Sequence, residues 1–162
     1  MPLAPLNAGS GEAQSADLKI GFVNTERVLR DAAPAVRAQK KIELEFSKRD
    51  QELQKLAKQL KDMQDALEKN SVTMTETDRR NKEREFADLN REFLRKQREF
   101  REDLNQRRNE ELASVLERAN KVINQIAEAE KYDLVVQEAV YRNPRIDITE
   151  KVIKALADPP AK

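Results

Sequence analysis

From Pro34 to Lys131 the chain is almost entirely one charged helical pattern, broken once between Asn70 and Thr77 and flanked by short β-like segments. The pattern predicts a long helical hairpin carried on a small β base. Two thin helices cannot bury the whole of such a stripe between themselves, so the remainder must find a partner. The chain therefore reads as a binding scaffold rather than a self-contained enzyme.

The composition agrees. Of 162 residues, 38% are hydrophobic and 38% charged, with three glycines and no tryptophan. That is the make-up of long helices, and the length allows one domain or one small domain with a long extension. Apolar residues recur at helical spacing, which a disordered polar chain would not show. The 31 basic and 30 acidic residues leave a net charge of +1, too little to draw in nucleic acid. Cysteine and histidine are absent, which removes thiol nucleophiles, disulfides, Cys/His zinc sites and imidazole bases. Zero cysteine suits an oxidising compartment without fixing one. No apolar run reaches the ~20 residues of a membrane span. Residues 1–16 have neither the basic start nor the apolar core of a signal peptide, and their Pro, Gly, Ser and Ala content predicts a flexible leader.

Along the chain, Leu18, Ile20 and Phe22 alternate with Lys19, Gly21 and Val23, which predicts a strand over Leu18–Asn24 with one apolar face. A short helix over Glu26–Arg30 stops before Pro34, which suits the first turn of the next helix. Ile42, Phe46, Leu53, Leu56, Leu60, Met63 and Leu67 then form a heptad-like seam, with Arg49 in the slot that would complete it. This helix, to Lys69, would be about 54 Å long. Thr73 with Glu76 has the spacing of a capping box for a second helix, running to about Lys131 over roughly 80 Å. Phe86, Leu89, Phe93, Phe100 and Leu104 mark its first half. Beyond Leu112 the stripe widens through Val115, Leu116, Ala119, Val122, Ile123 and Ile126, as expected of a segment packed on the base. The hairpin should then be firm near the base and loose toward its tip. Asp133–Val136 and Ala139–Tyr141 read as two strands and Arg142–Arg145 as a turn. Asp147 or Thr149 can cap a last helix carrying Val152, Ile153 and Leu156, which ends before Pro159 and Pro160. Three short strands make a sheet with exposed edges, and copies from other subunits would close it.

Catalytic chemistry has little to work with. Acidic pairs such as Glu83/Glu85 and Glu110/Glu111 sit among arginines on exposed helix, where i,i+4 ion pairing accounts for them. There is no glycine-rich phosphate loop and no nucleophile elbow. No enzyme activity, metal or cofactor is expected. Between Arg79 and Arg108 there are eleven Lys or Arg against seven Asp or Glu, which would attract acidic clients or anionic lipid head groups if not simply a solvated face. Interleaved acids and the lack of a reading motif argue against nucleic acid. Phe86, Phe93 and Phe100 lie seven apart on one seam; they either pack the hairpin or leave part of a thin apolar stripe on an inner wall. Met63 and Met74 near the tip suit adaptable contacts.

Leu18-Lys-Ile-Gly-Phe-Val-Asn24 at one end, and Asp133-Leu-Val-Val136, Val140-Tyr141 and Asp147-Ile-Thr149 at the other, bracket this charged hairpin. The arrangement, over about Asp17 to Ala157, resembles the Skp (OmpH-like) family of periplasmic chaperones. The resemblance implies an α+β fold: a long antiparallel helical hairpin, or tentacle, on a small β body shared between three subunits. Residues 17–33 and 112–157 would form the body, 34–111 the tentacle with its tip near 70–77, and 158–162 a tail. It implies a homotrimer in the periplasm whose tentacles surround a cavity and hold unfolded outer-membrane proteins without ATP. Leu18, Ile20, Phe22, Leu134, Val136 and Val140 would build the shared body, with Ile123, Ile126, Val152 and Ile153 packed around it. The client surface would carry Phe86, Phe93, Phe100, Met63, Met74, Arg79, Arg80 and Arg95. Some family members have a proposed lipopolysaccharide site. Lys96 and Arg107 match its basic positions, Gln106 stands where the pattern has an arginine, and Arg108 brings a charge one residue later. The rival reading is a structural coiled-coil adaptor that binds one defined folded partner.

Overall fold

The computed structural model describes residues 17–157; the expected leader and tail lie outside the described residues. The described chain runs β1 (Ile20–Phe22), α1 (Thr25–Asp31), α2 (Ala33–Asn70), α3 (Glu76–Ala129), β2 (Leu134–Val136), a 3₁₀ turn (Pro144–Ile146) and α4 (Thr149–Ala157). It is the α+β hairpin-on-a-base architecture that the sequence pattern predicts.

β1 and β2 pair in parallel, Ile20 opposite Leu134 and Phe22 opposite Val136. The other edge of β1 is met by a single bridge from Phe22 to Asp147, with Ile148 N donating to Phe22 O at 2.8 Å. Ala139–Tyr141 does not form the third strand that the sequence suggests. Both edges of β1 are met, the outer edge of β2 has no strand beside it among the described residues, and Val140 and Tyr141 stand fully and four-fifths exposed. Side-chain alternation divides the sheet in two. Gly21, Val23 and Val135 face the helices; Ile20, Phe22, Leu134 and Val136 face away. Gly21 keeps this contact close: a Cβ would lie 3.1 Å from the Tyr132 ring and 3.3 Å from Ile148, so that one of them would have to shift by a few tenths of an ångström.

The core gathers Val23, Val28, Ala32, Val115, Ala119, Ile123, Ile148, Val152 and Leu156, with Ile126 and Ile153 packed partly buried against it. The base-proximal end of α3 thus supplies the wide aliphatic stripe read from its sequence. Helix boundaries follow local chemistry. Asn24 caps α1 by accepting from Arg27 N at 3.1 Å. Ala32 takes the extended conformation, so α2 begins at Ala33 with Pro34 inside its first turn, one residue earlier than the proline alone suggests. At the tip the cap is Thr75, which accepts from Asp78 N at 3.2 Å, and not Thr73. Thr73 is used up at the end of α2, where its N–H and hydroxyl both donate to Asn70 O. α3 closes just short of Lys131, which adopts φ 58° and lets Tyr132 N reach back to Ala127 O at 2.9 Å.

α2 has 38 residues and α3 54, so the surplus of α3 lies against the base, beyond the start of α2. Along the shared length Ile42, Phe46 and Leu60 are buried. Phe46 and Phe100 meet edge-to-face, their centroids 5.6 Å apart. Arg49, the polar residue in the heptad slot, has its guanidinium 5.4 and 5.8 Å from these two rings and pairs with Asp103 at 2.9 Å. Arg107 reaches back across the seam to Glu45 at 3.0 Å. The charges that interrupt the apolar stripe on one helix are answered by opposite charges on the other.

Candidate interaction surface

Two surfaces remain uncovered. The first is the sheet face turned from the helices. Leu18 is 73% exposed, Ile20 36% and Leu134 52%, and Val140 and Tyr141 continue the same apolar character. Of the expected body residues, Phe22 is buried and Val136 half-buried within the single chain. The Arg142 guanidinium covers Phe22 at 4.5 Å from the ring centroid. Asp147 fixes that arginine through its Nε at 3.0 Å. The same carboxylate accepts from Thr149 N at 2.9 Å and from the Thr149 hydroxyl. Burial alone would raise the Asp147 carboxyl. The Thr149 hydrogen bonds and Arg142 outweigh it and hold the group below the ordinary carboxylate range.

The second surface is the hairpin. Phe100 lies in the seam against Phe46, and Phe93 is half-buried where Leu53, Ala57 and Gln97 leave a shallow gap. Phe86 is half-buried, as are Met63, which lies beside Leu67, Lys82 and Glu85, and Met74 in the tip turn. The phenylalanine row is thus shared between hairpin packing and solvent. The leucines that point away are others. Leu44 is 77% exposed and Leu94 52%. Sequence reading passed over them because it followed the heptad; their signal is that they are large apolar residues out of register with it. At the tip Val72 is 93% exposed.

The cations are mostly paired along their own helix: Arg79 with Glu83, Arg80 with Glu76, Arg95 with Glu99 and Lys96 with Glu92. The three arginines are exposed and Lys96 is half-buried, and solvated pairs of this kind hold a cation weakly. Arg107 is different. Its guanidinium bonds Glu45 and Glu111 and lies 3.6 Å from Glu110. The hydrogen bonds that it donates to Glu45 and Glu111 push its pKa further up, and Arg107 in turn holds Glu45 below its usual range. Of the three residues matched to an anionic-lipid site, Arg108 alone has no ion-pair partner among the described residues. Among those residues no group of three or more carboxylates is placed to hold a metal, and no helix is long and apolar enough to cross a membrane.

Comparison with known proteins matches this geometry to one family. A model of the family described as "Outer membrane protein (OmpH-like)" covers residues 19–156. The Chaperone protein Skp of Photorhabdus luminescens is 32% identical over 149 residues, spanning 91% of this chain and 90% of that protein. Its Escherichia coli counterpart is 29% identical over 145 residues, 88% of each. A solved OmpH-like outer membrane chaperone of Caulobacter crescentus superposes with a TM-score of 0.72 over 86% of this chain and 84% of that one, at 17% identity, and shares the fold.

Proposed function

From the membership of this chain in the OmpH-like family, we infer that it is a periplasmic chaperone, a holdase that keeps unfolded outer-membrane proteins soluble without ATP. Three copies would join through the sheet faces, and their hairpins would enclose the client. The observation that carries this reading is the uncovered sheet face. Leu18, Ile20 and Leu134 on that face, and Val140 and Tyr141 in the segment after β2, stand exposed at the root of a hairpin more than 50 Å long, and nothing among the described residues covers them. The unpaired segment Ala139–Tyr141 would gain a neighbour from another copy.

Client contact would fall on the hairpins. Phe86, Phe93, Phe100, Met63 and Met74 offer the edges left open by the seam, and Leu44 and Leu94 add whole side chains. Arg79, Arg80 and Arg95, held only by exposed i,i+4 pairs, would attract acidic segments. Many weak contacts of this kind hold a chain while leaving it free to depart. For an anionic lipid or lipopolysaccharide, Arg108 and Lys96 are the accessible charges, whereas Arg107 would first have to leave Glu45 and Glu111.

The test is light scattering of a β-barrel membrane protein diluted from urea, with and without this protein, in the absence of ATP. Suppressed aggregation at about one trimer per client is expected. Unchanged aggregation in the presence of a folded oligomer would overturn the holdase reading in favour of an adaptor for one folded partner.

A further inference from the structure

At the root of the hairpin, where α1 meets α2 and α3, the packing leaves a notch of about 260 Å³. Its walls are Leu29, Ala35, Ala38, Ile42, Leu112 and Val115. The notch exists because two alanines stand where α2 faces α3; larger residues at 35 and 38 would fill it. Leu112, on the wall, is 45% exposed, an apolar side chain held at an open mouth. The volume is below the ~300–1,000 Å³ of pockets that enclose whole small molecules, and it suits one large apolar side chain.

The rim narrows the choice of occupant. On the α2 side, Glu43 accepts from Gln39 at 3.2 Å and keeps free acceptor capacity. On the α3 side, Arg108 lacks an ion partner among the described residues, while Glu111 is already engaged by Arg107. An extended chain lying across the mouth would find a carboxylate for its N–H and a guanidinium for its C=O. A free fatty anion would meet Glu43 as well as Arg108, so the rim does not favour it. The notch also shares no lining residue with the exposed sheet face that a second copy would cover.

We propose that this notch is a docking site for single leucine- or phenylalanine-sized side chains of an unfolded client, with Glu43 and Arg108 binding the client backbone beside it. The proposal rests on the holdase reading and adds a defined site to it. It places one anchoring point per hairpin at the root, where the helices are most firmly packed, while contacts farther out remain diffuse.

The experiment uses the full chain in its native assembly and a tryptophan-containing unfolded β-barrel protein diluted from urea. The chaperone has no tryptophan, so the emission reports the client alone. Ala38→Leu fills the notch from within, and Leu112→Ala removes a wall without adding bulk. Both variants should capture the client about tenfold more weakly, the worth of one buried apolar side chain, with unchanged oligomeric mass. Arg108→Ala should weaken capture less and leave the melting temperature unchanged. Wild-type capture by both Ala38→Leu and Leu112→Ala overturns the proposal. A change of oligomeric mass in Ala38→Leu also overturns it, by assigning the notch to a second copy. If the wild-type protein itself captures no client, the holdase reading fails and the notch proposal fails with it, a result distinct from either of these.

Discussion

Replacing Ile20 by aspartate should separate the folding of one chain from the joining of chains. Ile20 lies opposite Leu134 on the sheet face turned from the helices, and 36% of it is exposed in a single copy. The chain's own core, from Val23 and Val28 to Val152, lies on the other face. An aspartate at position 20 can therefore turn its carboxylate to water in an isolated subunit, at a cost of about 1–2 kcal/mol. The assembly is another matter. Leu18, Ile20, Leu134, Val140 and Tyr141 range from one-third to wholly exposed. Full burial of a large apolar side chain contributes about 1.5–3 kcal/mol, so covering their exposed parts would contribute roughly 5–10 kcal/mol per copy before the cost of association. The Ile20→Asp change removes part of that sum and brings an unpaired charge into each buried face, a loss of several kcal/mol per copy.

Circular dichroism and light scattering coupled to size exclusion, over a range of protein concentrations, should then show a helical monomer. Its melting temperature should not depend on concentration. Val152→Asp, at a fully buried position in the subunit core, should unfold the chain. Two results would refute the reasoning. An Ile20→Asp trimer with the wild-type melting curve would put the sheet face outside the joint, and an unfolded Ile20→Asp chain would make that face part of the subunit's own core.

Lys131→Gly should stabilise the fold by about 0.5–1 kcal/mol in a thermal melt, because Lys131 sits at φ 58°, where an L side chain is strained and glycine is not. Gly21→Ala should cost about 1–3 kcal/mol, since the added methyl meets the Tyr132 ring at 3.1 Å beneath the sheet; a neutral result would mean that the ring can move away. The Asp147 carboxyl is held below its unfolded value, so its contribution is present above the ordinary carboxylate pKa, near 4, and is lost as pH falls below it. Urea melts between pH 5 and pH 2 should show that loss in the wild type, and Asp147→Asn should show less of it.

The sequence made the hairpin legible because its heptad spacing and the break after Asn70 are strong local signals, and the wide stripe of Val115, Ala119 and Ile123 marked the end that packs on the base. The third strand misled for a physical reason. Ala139–Tyr141 has strand-like side chains, but Asp147 and Ile148, later in the chain, take the second edge of β1, and the outer edge of β2 is left without a strand among the described residues. The tip cap was misplaced by two residues because Thr73 and Thr75 are chemically equivalent and only the closing hydrogen bonds to Asn70 separate them. On the candidate surface, residue type identified the cations but not their partners. Arg107 and Arg108 are adjacent in sequence, yet one is held across the seam and the other is not. The notch at Ala38 was invisible because it is made by missing volume opposite residues more than seventy positions away.

The register of the hairpin shows why charges belong in an apolar seam. Phe86, Phe93 and Phe100 repeat every seven residues, so a one-heptad slip would set Phe93 where Phe100 now meets Phe46, and the ring pair would survive. The ion pairs would not. The same slip would bring Arg49 against Lys96 instead of Asp103, and Glu45 against Phe100 instead of Arg107. Each pair is partly solvated and worth about 1 kcal/mol, so their value lies in choosing one register more than in stability. Arg49→Glu should reverse the preference, since the new carboxylate repels Asp103 and attracts Lys96. The chain has no cysteine, so paired cysteines can report the register directly. Gln54→Cys with Gln97→Cys, whose parent side chains flank one gap, should cross-link in the wild-type background, and Gln54→Cys with Asn90→Cys should gain yield in Arg49→Glu. Restoring opposite charges with Arg49→Glu and Asp103→Arg together should return the cross-link to position 97. Wild-type cross-linking in Arg49→Glu would mean that ring packing alone sets the register.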